Sequence, residues 1–266
     1  VTGLTEEDEG EANIGAGDRV DLDLPQEREQ LIVDAASVND RVIVVLEGGG
    51  AITMQDWLAD PEAVLMVWYP GQMGGHAIAD LLFGDLSPSG KLPFTVPKSL
   101  DQLPPFDNVS LEVEYGYFHG YRYLDRRGFT PEFPFGFGLG YTSFAVSDLR
   151  VSRSQAGAGE TVTFSVDVEN TGPVAGGEVV QLYVSYPDSE VERAERELKG
   201  FAKVVLEPGE RRTVRIDIPI DSLAYYDSDR SEWILEALEY VVHGGTSSRD
   251  LPLSVTLSVE SDAIAR

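Results

Sequence analysis

The stretch from Ala63 to Pro97 limits the possible folds of this chain more than any other: AVLMVWYPGQMGGHAIADLLFGDLSPSGKLPFTVP. Ala63 to Trp68 is a short, unbroken apolar run, the pattern of a strand buried on both faces. Tyr69-Pro70-Gly71 ends it, because proline has no N–H to give to a ladder. Gly74-Gly75 opens a helix with Ile78, Leu81 and Leu82 on one face. Gly84-Asp85 and Pro88-Ser89-Gly90 stop it. Leu92 to Val96 is expected to return as a strand before Pro97. Strand, covering helix and return strand define an α/β layer.

The residues before this stretch extend the same pattern. Val1 to Asp23 is rich in glycine and carboxylates, lacks apolar periodicity, and is expected to be loop. Pro25 suits a helix start, and Leu31, Ile32 and Ala35 recur at helical spacing between Glu27 and Ser37. Arg41 to Leu46 is a β-branched buried strand that exits through Glu47-Gly48-Gly49-Gly50. Loops at the carboxyl ends of strands line ligand crevices in open α/β sheets. Met54 to Leu58 is expected to begin a short helix. Two or three such units are too few for an independent doubly wound domain, so further strands are expected upstream of Val1. The chain is accordingly expected to be a C-terminal piece of a longer protein, or one chain of a split one.

Lys98 to Phe144 is a long aromatic segment with Tyr115, Tyr117, Phe118, Tyr121, Tyr123, Phe133, Phe135 and Phe137. It is expected to be a linker packed between domains, with Arg122 and Asp125 as a buried pair. From Ala145 the period changes to two. Strand-like runs cover Val146–Val151, Thr161–Val168, Val179–Tyr186, Phe201–Leu206, Arg212–Ile218, Ile234–Val242 and Leu253–Val259. Asn170-Thr171-Gly172-Pro173, Pro208-Gly209 and Asp227-Ser228-Asp229 separate some of them. This spacing predicts an all-β immunoglobulin or fibronectin III-like sandwich over residues 145–266. Trp233 is the candidate core plug. The fold class is thus α/β, mostly parallel, over residues 1–97, followed by the linker at 98–144 and the sandwich.

Composition excludes several chemistries. The chain has no cysteine, so disulfides, thiolate nucleophiles and thiolate metal sites are absent. Its formal charge of -26 would repel nucleic acid. Such a charge reads first as a solvated acidic surface, with a salt-adapted protein as the alternative. No apolar run is long enough to span a membrane. His76, His119 and His243 are scattered and form no metal-ligand pattern. Gly48-Gly49-Gly50 lacks the lysine and hydroxyl residue of a phosphate loop. No cofactor is expected.

Carboxylates crowd the first loop, in Glu6-Glu7-Asp8-Glu9-Gly10-Glu11. Crowding and burial are the conditions that let a carboxyl keep its proton near neutral pH.

Three stretches together identify a resemblance: WYPGQMGGHAIADLLFGDLSPSGKLPFTVP, GYRYLDRRGFTPEFPFGFGLGYTSF from Gly120, and ELKGFAKVVLEPGE from Glu197. They resemble, in order, the C-terminal half of family 3 glycoside hydrolases of the β-glucosidase type. The resemblance implies an α/β sandwich piece, a fibronectin III-like domain, and part of a retaining exo-acting β-glycosidase. Glu9-Gly10, followed by Asp18-Arg19 and Leu22-Asp23-Leu24-Pro25, resembles the family's acid/base segment. Glu9 then takes the role of general acid/base, with Glu11 as the alternative and Arg19 as a structural ion-pair partner. Seven residues, Glu11 to Gly17, separate the two halves of the motif, more than the family pattern has. The nucleophilic aspartate would lie on a TIM-type barrel, which needs roughly 250 residues of its own and has no counterpart here. The barrel, in a missing segment or separate chain, and a β-glucoside or oligosaccharide are the expected partners. The alternative is a non-catalytic carbohydrate-binding or structural module. A secreted or periplasmic location is expected, with a cytoplasmic one left open.

Overall fold

The computed structural model describes residues 1–10, 19–105, 107, 110, 112–260 and 262–264. They divide into two compact units. One comprises Val1–Asp85 and Phe94–Pro134, the other Leu86–Pro93 and Phe135–Arg266.

The first unit is built on three parallel strands in sequence order: β1 (Thr2–Gly3), β2 (Ile43–Glu47) and β3 (Ala63–Met66). Its helices are α1 (Glu6–Glu9), α2 (Gln26–Val38), α3 (Gly74–Leu82) and α4 (Gly120–Arg127). Leu4, Leu24, Ile32, Val44, Leu46, Ile52, Met54 and Trp57 form the core. Burying such side chains stabilises by about 1.5–3 kcal/mol each.

Several local expectations are corrected. The first loop is partly regular, because Thr2 and Gly3 find ladder partners at Leu46 and Glu47. Helix α2 turns Ile32 inward and leaves Leu31 exposed. Met54 to Leu58 closes as a turn whose purpose is to seat Trp57, which is 1% exposed. Leu92 to Val96 is not a strand. Leu92 exchanges backbone bonds with Gly136 and Phe137, Pro93 can donate none, and Val96 forms an isolated bridge to Phe133. The aromatic segment is not wholly irregular: it holds α4, closed by Gly128, and Arg122 lies over the Tyr117 ring at 5.5 Å.

The second unit is the expected sandwich. Its strands are β4 (Phe144–Val151), β5 (Gln155–Ala156), β6 (Thr161–Asn170), β7 (Gly176–Ser185), β8 (Glu197–Leu206), β9 (Arg211–Pro219), β10 (Tyr225–Asp227), β11 (Glu232–Leu235), β12 (Glu239–Gly245), β13 (Leu253–Val259) and β14 (Asp262–Ile264). One sheet runs β5-β13-β12-β7-β8 and the other β4-β6-β9, with a small sheet β10-β11-β14 beside them. Strict alternation in β6 puts Val162, Phe164, Val166 and Val168 inside. They meet Val180, Leu182 and Val184 of β7 and Ile216 and Ile218 of β9. Trp233 is only partly buried and meets Tyr226 edge-on; Phe164 and Tyr240, both fully buried, fill the centre instead. The run read as one strand from Ile234 to Val242 breaks at Glu236, whose carboxylate accepts from the Ser189 hydroxyl and the Glu190 N–H. Two segments from elsewhere in the chain strap the five-stranded sheet: Lys91 pairs with Glu178 at 2.7 Å, and Gln181 donates to the Gly136 carbonyl.

On the outer face of β6, Asp167 accepts from Arg150, Thr213 and Arg211 at 2.7–3.0 Å. These donors, the Arg150 guanidinium first, hold its carboxyl far below the usual aspartate range. A depressed carboxyl contributes stability that is complete above the unfolded value and lost as pH falls. Thermal melts should therefore show Asp167→Asn losing less stability than the parent between about pH 6 and about pH 3. Truncating Phe164 to Ala should cost about 3–5 kcal/mol in denaturant unfolding of the sandwich.

Candidate functional site

The carboxyl ends of three adjacent parallel strands open on the same edge of the first unit's sheet. Chain leaving β1 forms α1, chain leaving β2 is Gly48-Gly49-Gly50, and chain leaving β3 is Val67 to Gly71. Crevices at such edges are where open α/β sheets bind ligands.

Helix α1 is short but firmly held. Thr5 caps it by accepting from the Asp8 N–H, and Asp8 accepts in return from the Thr5 N–H. The Thr5 N–H, with Arg28 adding to it, lowers the Asp8 carboxyl below its ordinary value. Arg28 of α2 bonds Asp8 at 2.8 Å and also donates to the Gly3 carbonyl. One guanidinium thus ties the end of β1 to the helix that follows. Gly10 then takes φ +69°, a left-handed stop that glycine adopts without strain. Glu9, in the last turn, faces the exit of β2.

Its Oε1 accepts two hydrogen bonds. The Gly49 N–H donates at 2.6 Å and the Tyr69 hydroxyl at 2.8 Å. Oε2 accepts none among the described residues. The approach is close at Gly49, where a Cβ would stand 2.9 Å from Cε2 of the Tyr69 ring and the ring would have to shift. Tyr69 is placed by an unusual backbone. Trp68 has φ +54°, a strained choice for a bulky residue. Its ring is anchored edge-on to Phe94 with centroids 5.1 Å apart.

Other candidate residues are distributed as follows. Glu11 and Asp18 lie outside the described residues. Arg19 donates to the Ala51 carbonyl at 3.0 Å and the Asp23 carbonyl at 3.5 Å; the neighbouring carboxylates expected to pair with it, Glu11 and Asp18, lie outside the described residues. Backbone oxygens suit it because the chain bends here and leaves carbonyls without ladder partners. His76 is exposed, and His243 lies beside Ser185 in the sandwich with its ring's affinity for a proton lowered by burial and by Arg196. Among the described residues no three His, Cys, Asp or Glu side chains are grouped to hold a metal.

Sequence reasoning missed Gly49 and Tyr69 as functional partners. Tyr69-Pro70 carried the signal of a strand stop, and the three glycines that of a crevice loop. Only parallel register puts them on a carboxyl 40 and 60 positions away. Chemically, the arrangement is one carboxyl with one oxygen fixed and the other open to exchange a proton. Arg28→Ala should release α1: amide hydrogen exchange at Glu9, whose N–H bonds the Thr5 carbonyl at 2.9 Å, should speed up, with a loss of about 1–3 kcal/mol.

Comparison with known proteins places these features. The model of the glycosyl hydrolase family 3 C-terminal domain matches residues 1–141, and that of the fibronectin type III-like domain matches residues 178–248. The chain is 41% identical over 249 residues to thermostable beta-glucosidase B of Acetivibrio thermocellus, covering 92% of this chain and 33% of that protein. It is 42% identical to a beta-glucosidase of Rhizobium radiobacter, covering 96% and 32%. An exo-alpha-(1->6)-L-arabinopyranosidase of Bifidobacterium breve is 40% identical, with 92% and 33% covered. Among solved structures, the Bifidobacterium adolescentis GH3 beta-glucosidase aligns with a TM-score of 0.88 and 36% identity, over 98% of this chain and 38% of that one. The chain thus spans about a third of the length of the curated relatives it matches. The domain match over more than half of its residues makes this chain a member of glycoside hydrolase family 3, of which it carries the C-terminal α/β and fibronectin type III-like domains.

Proposed function

We propose that the chain is the C-terminal part of a retaining, exo-acting β-glycosidase that removes terminal non-reducing β-D-glucosyl residues. Glu9 is its general acid/base. The nucleophile is an aspartate on a barrel outside this chain, in a preceding segment or a separate polypeptide. The observation that carries the reading is the Glu9 carboxyl at the carboxyl edge of the parallel sheet, with one oxygen held by the Gly49 N–H and the Tyr69 hydroxyl.

The chemistry proceeds in two steps. In the first, the barrel aspartate attacks the anomeric carbon and the glycosidic C–O bond breaks. Glu9 gives its proton to the departing oxygen, leaving a covalent glycosyl-aspartate. In the second, the ionised Glu9 takes a proton from water, whose oxygen attacks the anomeric carbon and frees the aspartate. One carboxyl serves both steps, so it must be fixed in place yet able to change protonation state. The sugar itself is chosen mainly by the barrel. Relatives named as glucosidases and as arabinopyranosidases share this C-terminal architecture, and the β-glucosidase names among them favour glucose.

The test is Glu9→Gln in the full-length enzyme. For an alkyl β-glucoside, whose leaving group needs a proton, kcat/KM should fall by roughly 10²–10⁴-fold. Azide, which attacks without base assistance, should restore turnover of an activated aryl glucoside and yield a glycosyl azide. Unchanged hydrolysis of the alkyl glucoside would remove Glu9 from the mechanism. The chain without a barrel should not turn over β-glucosides.

A further inference from the structure

Glu9 can act only if its proton sits on the oxygen that faces the leaving group, and the described contacts decide which oxygen that is. Oε1 already receives an N–H and an O–H. A proton added to that oxygen would crowd the hydrogens of both donors. Oε2 receives no donor from the described residues. From this geometry we infer that Tyr69 is the positioning residue of the acid/base: its hydroxyl and the Gly49 N–H occupy Oε1, so that the exchangeable proton is carried by Oε2.

This inference rests on the assignment of Glu9 made above. It adds a residue, a bond and a division of labour between the two oxygens. Both donors stay useful through the whole cycle. Oε1 accepts as a carbonyl oxygen when Glu9 is protonated and as part of the anion when it is not. The carboxyl therefore need not rotate between its acid and base steps, and orientation is preserved where misplacement is costly.

The surroundings of Tyr69 are consistent with a built support. Trp68 holds φ +54° just before it, and strain of this kind persists only where neighbours over-determine it. Here those neighbours are Phe94, edge-on to Trp68, and Pro70, packed so tightly that a Cβ on Gly74 would stand 2.6 Å from its ring. On its other side the Tyr69 ring lies against the Gly49 backbone with no room for a methyl group. Tyr69 as a residue is 61% exposed, so burial is not what holds it there. The hydroxyl bond to Glu9 and the shaped backbone do.

A purely structural tyrosine and a positioning tyrosine predict different kinetics. The experiment compares Tyr69→Phe, Gly49→Ala and Glu9→Gln in the full-length enzyme on two β-glucosides. One has a 2,4-dinitrophenyl leaving group that departs unprotonated, the other an alkyl leaving group that must be protonated. Tyr69→Phe keeps the ring and removes only the donor. It should lower kcat/KM for the alkyl glucoside by roughly tenfold or more, the worth of a hydrogen bond to a charged group. For the dinitrophenyl glucoside kcat/KM should hold within about twofold, while kcat and KM fall together because the base-assisted second step becomes limiting. Gly49→Ala, which pushes the ring away, should show the same selectivity. Equal loss on both substrates, or no loss on either, would overturn the inference for Tyr69. If Glu9→Gln discriminates leaving groups and the other two variants do not, Tyr69 alone is wrongly assigned. If Glu9→Gln does not discriminate, the acid/base assignment falls and this inference with it.

Discussion

Two hydrogen bonds to a single carboxylate oxygen tie together the candidate site of the first unit. The Glu9 side chain comes from the exit of β1, the Gly49 N–H from the exit of β2 and the Tyr69 hydroxyl from the exit of β3. Each strand of the small parallel sheet contributes one participant, so the sheet register fixes the distances among them. The supporting contacts follow from this need. Arg28 ties α1 to β1, Gly10 stops the helix one residue past the carboxyl, and glycine at position 49 lets the main chain and the Tyr69 ring come together.

The sandwich solves a different problem with different means. Without cysteine it has no covalent pin between its sheets. Its stability comes from interdigitated Val, Leu and Ile on β6, β7 and β9, with Phe164 and Tyr240 at the centre. The charged side chains Glu236 and Arg193, which enter it, are paired. Glu236 takes a hydroxyl, a backbone N–H and Arg193, and Arg193 also stacks on Tyr186 at 3.7 Å. A strongly acidic surface is compatible with this arrangement because arginines are spent locally, as on Asp167.

How much of this was readable in the sequence depended on whether the signal was local. The alternation in Thr161–Val168 states its own structure, and the resemblance carried by the Trp68 and Gly120 stretches gave family and domain order. Trp233 misled because bulk suggests a core plug, whereas its neighbours in the chain form a small side sheet and leave it half-covered. Leu92–Val96 misled because an apolar run was read without asking what Pro93 could donate. The partners of Glu9 stayed hidden for a deeper reason. A loop glycine contributes a backbone N–H, which every non-proline residue has, and only tertiary register gives that group a meaning.

Gly10 is buried in a left-handed turn immediately after Glu9, a backbone conformation that a residue with a Cβ adopts only under strain. A side chain added there would displace the neighbouring carboxyl without ever touching it.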